Sequence, residues 1–161
     1  MQKNNYSFLT KWMHQIYLGN YFVSKTSFEI EQTIFKKEIN FFKINEIVFV
    51  TGLARAGTTA LFNAIYDTNS YASLKYSNMP FLLMPLLWSH IANNKKATEL
   101  AERAHNDGIQ VNSESPEEFD EYYWKTMLND NYITKNNLIT HPINDKTLKD
   151  FESYIKAPIT G

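Results

Sequence analysis

Apolar residues recur at intervals of three and four through most of the first 42 residues. Phe8, Trp12, Ile16, Tyr17 and Tyr21 form one stripe; Phe28, Ile30, Ile34, Phe35 and Ile39 follow, with Glu29, Glu31, Lys36 and Lys37 between them. This spacing predicts amphipathic helix over residues 6–42, broken at Gly19-Asn20. The pattern then changes. Ile47-Val48-Phe49-Val50 is a continuous apolar, β-branched run with no polar alternation. It predicts a strand buried on both faces, as in a parallel sheet.

Leu61, Phe62, Ile65 and Tyr66 restore the helical period, so a helix is predicted from Thr58 to Asp67, stopped by Asp67-Thr68-Asn69-Ser70. Tyr71 to Leu74 reads as a second strand. Strand, loop, helix and strand would open a right-handed βαβ unit. Met79 to Ala92 is apolar and punctuated by Pro80 and Pro85, and Lys95 to His105 reads as helix. Asn106-Asp107-Gly108 reads as a turn. Ser115-Pro116-Glu117-Glu118 has the form of a capping box with proline at the first helical position, opening a helix through Phe119, Tyr123 and Met127. Asn136-Asn137 and Pro142 interrupt the last part, and Lys146 to Tyr154 is predicted helical.

Composition narrows the class. With 43% apolar and 15% aromatic residues in 161, the chain can bury a core, which excludes a disordered tail. The absence of cysteine excludes a disulfide scaffold, a thiolate metal site and a thiol nucleophile. A net charge of −1 gives no global attraction to nucleic acid or anionic membrane. The longest apolar stretch, Met79 to Leu87, holds two prolines and is shorter than the roughly 20 residues of a membrane span. The N-terminus has no long apolar run before a small-residue cleavage site, so it reads as mature structure, and a cytoplasmic location is expected. Of 16 basic residues only Arg55 and Arg103 are arginine, which singles out Arg55.

Arg55 lies in Val50-Thr51-Gly52-Leu53-Ala54-Arg55-Ala56-Gly57-Thr58-Thr59-Ala60, an apolar run passing through a glycine-containing loop into a helix. Successive backbone N–H groups and a helix N-terminus converge there, which suits a phosphate. Gly52 and Gly57 have the spacing of the nucleotide-triphosphatase loop G-x-x-x-x-G-K-[ST], and Thr59 fills its last position. Thr58 stands in place of the lysine that reaches the β/γ-phosphates, and the cation has moved to Arg55. That displacement argues against a kinase or NTPase, although a degenerate loop of that kind is one alternative.

Arg55-Ala56-Gly57-Thr58-Thr59 resembles the Lys/Arg-Ser-Gly-Thr-Thr loop of sulfotransferases that use 3′-phosphoadenosine 5′-phosphosulfate (PAPS). Ser27 to Glu31, Ala104 to Gly108 and Ser115 to Phe119 look like a bacterial branch of that superfamily. The resemblance implies a P-loop-like three-layer α/β/α fold with a short parallel sheet. The single domain of 1–161 would comprise a helical N-terminal extension (1–45) and an α/β core (46–161) with its phosphate loop at 51–60. It implies sulfonate transfer from PAPS to a hydroxyl or amine of a small-molecule or carbohydrate acceptor, leaving adenosine 3′,5′-bisphosphate (PAP), with no metal required. Arg55, Ala56, Gly57, Thr58, Thr59 and Ala60 would bind the donor. Ala56 replaces the family's usual serine. No later arginine and serine match the family's 3′-phosphate element, so the chain is expected to be an incomplete fold, truncated at its C-terminal side. A non-catalytic or incomplete nucleotide-binding module is the other alternative.

Within that reading Arg55 supplies charge to the leaving phosphate, and His105, with Asp107 two residues on, is the first candidate base. His141 and the carboxylates Glu114, Glu117 and Glu118 are further candidates. His14 and His90 lie in apolar surroundings and read as packing residues. Lys75 and Tyr76, after the second predicted strand, could reach a ligand crevice. Met79 to Trp88 could line an acceptor pocket, though an apolar stretch of this kind is ordinarily core.

Overall fold

The computed structural model describes residues 15–53, 56–92, 100–102 and 109–160. Residues 15–18 are helical, and the chain breaks at Gly19-Asn20 as its pattern predicts. Asn20 then starts helix α1 (Tyr21–Ile34) by accepting the N–H groups of Phe22 and Val23 at 3.1 and 3.3 Å. That side chain satisfies donors which a helix start otherwise leaves unpaired. Helix α2 (Lys36–Phe41) follows, burying Ile39. Helix α3 (Thr58–Tyr66) begins at the predicted residue and ends at Asp67. Helix α4 (Pro85–Ile91) has proline at its start. Helices α5 (Asp120–Leu128) and α6 (Asp145–Thr160) complete the set.

Tyr123 of α5 is fully buried at the centre of the main core. Its ring lies 5.8 Å from Phe28 of α1, 5.2 Å from Phe151 and 5.0 Å from Tyr154, both of α6. Leu74 and Leu83 close this cluster. A second cluster joins Ile39 of α2, Leu86 of α4 and Ala157 of α6. Helix α6 is therefore shared by both clusters, its apolar side recurring at Phe151, Tyr154 and Ala157 with spacing of three.

The three-layer α/β/α fold with a short parallel sheet is overturned. Among the described residues the named strands are β1 (Ala101–Glu102) and β2 (Gln110–Val111), antiparallel, with Ala101 opposite Val111. The rest of the regular structure is helical. Ile47 to Val50 enters no ladder, and Ile47, Val48 and Phe49 are 47%, 41% and 60% exposed. An apolar run can show that a segment suits a buried strand; it cannot supply the neighbouring strand that buries it. Here the nearest support is aromatic, Phe49 stacking on Phe151 at 6.2 Å.

The predicted second strand, Tyr71 to Leu74, is not formed; only Leu74 joins an antiparallel contact that continues to Ser77. Leu74 accepts the Glu117 N–H at 3.1 Å, Tyr76 donates to Ser115 at 3.1 Å and Ser77 to Ser113 at 2.7 Å. Lys75 thus pairs antiparallel with Pro116, and the expected right-handed βαβ unit does not form. The predicted capping box is overturned by the same contact. Ser115 Oγ is taken by Asn112, Pro116 by the bridge to Lys75, and helix begins only at Asp120. Ala101 and Glu102, inside the helix predicted over Lys95 to His105, are strand; most of that stretch lies outside the described residues, as does the turn at 106–108. No helix among the described residues is long and apolar enough to cross a membrane.

Candidate functional site

The loop that carries the sequence motif is best described from Ala56 onward, because Ala54 and Arg55 lie outside the described residues. Ala56 donates its N–H to the Leu53 carbonyl at 3.0 Å. Gly57 then caps α3 in the left-handed region, with φ 85° and ψ 17°. Glycine adopts that conformation without the penalty an ordinary side chain incurs. A Cβ on Gly52 would come within 2.9 Å of the Thr58 methyl, so the loop's two glycines answer two needs: a close approach and a reversed backbone.

Gly57, having no side chain, gives α3 no cap of its own, no acidic residue occupies the first turn, and among the described residues of the loop Ala56, Gly57 and Ala60 are exposed with Thr58 and Thr59 half-buried. The first N–H groups of a helix carry partial positive charge and favour an anion. The structure thus brings Ala56, Gly57, Thr58, Thr59 and Ala60 into one turn. His105 lies outside the described residues, so its relation to this turn is not part of the geometry.

A groove of about 670 Å³ runs between the extended segment 43–50, α3 and α6. Phe49, Phe62, Tyr66, Phe119, Phe151 and Tyr154 give it an aromatic wall. Its size falls within the range of small-molecule sites. Met79 to Trp88 takes another role. Leu82, Leu83 and Leu86 are at most 3% exposed, so this stretch is core and not pocket wall.

Lys75 and Tyr76 stand at the edge of this region on the antiparallel pair. Lys75 Nζ lies 3.0 Å from Glu114, which raises the lysine pKa by hydrogen bonding. The Tyr76 hydroxyl donates to Glu117 Oε2 at 2.6 Å. Two of the three carboxylates named as candidate bases, Glu114 and Glu117, are thus engaged by neighbours some forty positions earlier, a pairing no local spacing announces. His90 packs against Phe35 at 5.4 Å, its Nδ1 2.8 Å from the Leu86 carbonyl, in keeping with a packing role. His141 is half-buried, and His14 lies outside the described residues. Among the described residues no group of acidic or histidine side chains has the arrangement of a metal site.

Glu31 is a buried ionisable residue that pattern reading passed over, although a signal existed. It lies three residues after Phe28 and four before Phe35, on the apolar face of α1. Comparison with known protein families, with curated proteins and with solved structures finds no match for this chain.

Proposed function

We propose that the chain binds the 5′-phosphosulfate of PAPS on the loop 51–60 and serves sulfonate transfer to a hydroxyl or amine acceptor. The observation that supports this reading is the start of α3, where Gly57 in the left-handed region turns the exposed loop into the helix N-terminus without a side-chain cap of its own. In this reading the backbone from Ala56 to Ala60 and the Thr58 and Thr59 hydroxyls hold phosphate and sulfonate oxygens. Arg55, which the sequence places two residues before Gly57, offsets charge on the departing phosphate. The acceptor oxygen or nitrogen attacks sulfur, the bond from sulfur to the bridging oxygen breaks, and PAP leaves as the acceptor's proton passes to a base. His105 is the base in this proposal, since an ordinary imidazole titrates near neutral pH. The acceptor occupies the aromatic groove beside α3.

The substitution of Thr58 for the P-loop lysine supports a metal-free sulfonate donor over a magnesium–nucleoside triphosphate. Thermal stability in chelator tests this. PAP should raise the unfolding temperature of the wild-type chain, and Arg55→Ala should weaken its affinity by about ten- to a hundredfold, the worth of one charge-assisted contact. Stabilisation by ATP with magnesium but not by PAP would replace this reading with a kinase-like one.

A further inference from the structure

Glu31 is 1% exposed, yet it carries a carboxyl group. Its Oε2 accepts the Leu87 N–H at 3.0 Å, and the neighbouring Leu86 N–H also favours the anionic carboxyl. Both amides belong to the first turn of α4, which receives no side-chain cap from its own Met84. The carboxyl of α1 therefore does from a distance what a local cap normally does.

Among the described residues no lysine, arginine or histidine forms an ion pair with Glu31. Among the described residues the titratable groups that face it are the hydroxyls of Tyr17, from the helical residues 15–18, and Tyr154, from α6. Burial raises both, so both stay neutral and offer no counter-charge. No acid or base of α2 or α5 acts on it, and His90 of α4 is engaged with the Leu86 carbonyl.

We propose that Glu31 is a pH-sensitive latch: neutral, it pins the first turn of α4 to α1; ionised, it releases that turn. Two opposed effects decide the direction. The Leu86 and Leu87 amides favour the anion, whereas removal from water disfavours it. Burial is the larger, and the carboxyl is pushed up to about 7. An unpaired buried carboxylate is relieved by hydration, which requires the first turn of the seven-residue α4 to part from it. The motion has a route outward. Trp88 of α4 donates its indole N–H to Ser77 at 3.0 Å, tying the latch to the segment that bears Lys75 and Tyr76.

The test uses the full chain. Side-chain carboxyl NMR follows the titration of Glu31, and amide exchange, corrected for its intrinsic pH dependence, follows Leu86 and Leu87 over the same range. Glu31 should titrate near neutral pH, with protection of both amides falling about tenfold across that midpoint. In Glu31→Gln, which keeps an acceptor but no charge, protection should stay flat. Titration of Glu31 in the ordinary carboxylate range would overturn the proposal, as would amide protection that ignores its ionisation. Should Glu31→Gln fail to fold, coincidence or separation of the two wild-type midpoints decides the matter alone.

Discussion

Gly57 holds its φ of 85° in open space, since a Cβ there would meet nothing within 4 Å. Replacement therefore costs backbone strain and not collision. Gly57→Val should lower stability by about 1–2 kcal/mol, while Gly57→Asn, which tolerates the left-handed region, should cost less. Urea denaturation orders the two; equal losses would show that the left-handed cap is unimportant. Glu31 makes a prediction with a sign. Its folded-state pKa is raised from 4.5 to about 7 by burial. The native protein thus binds this proton more tightly than the unfolded chain. Its contribution is fully present below the unfolded value and declines as pH rises towards about 7, by up to about 3 kcal/mol. Glu31→Gln should flatten that decline, and urea unfolding at about pH 5 and about pH 8 measures it. Gly57 was legible in the sequence because a glycine before a helix start marks a loop. Glu31 was legible only as one polar residue among several; burial by Tyr17 and α4 is tertiary and leaves no mark at positions 29–37.

At the scale of elements, helices with a continuous apolar stripe form where the pattern places them. The limits of α3 and the break at Gly19-Asn20 are examples. Elements that depend on a partner behave differently. Ile47 to Val50 has strand composition but no ladder, and Leu74 to Ser77 pairs with Ser113 to Glu117 in place of a parallel neighbour. The Ser115-Pro116 signal is defeated the same way, because Asn112 and Lys75 take the groups a helix start would use. Packing is concentrated where α6 meets α1 and α5. Phe151, 7% exposed, touches Tyr123, Trp124 and Phe49, so Phe151→Ala should destabilise by about 3–5 kcal/mol. Phe22, on the same chain but 80% exposed, should tolerate alanine within about 0.5 kcal/mol. Similar urea midpoints for the two variants would contradict the assignment of the core to the α6 cluster.

Across the described residues, a mainly helical framework carries the exposed part of the loop at the start of α3, and an aromatic groove lies between the segment 43–50, α3 and α6. Net charge of −1 provides no long-range attraction for an anionic donor, so the proposed recognition depends on local groups: the helix start, Thr58, Thr59 and Arg55. That is why the loop could be read from eleven contiguous residues while the architecture around it could not. The motif is local, and the sheet it suggested is not. The central claim, that this loop is a site for a sulfonated adenosine nucleotide, is tested most directly by isothermal titration of the chain with PAP in the presence of chelator. Saturable binding at one site per chain, weakened by Arg55→Ala and by Gly57→Val, is the predicted result. Absence of binding to the wild-type chain, or binding that neither substitution alters, would contradict it.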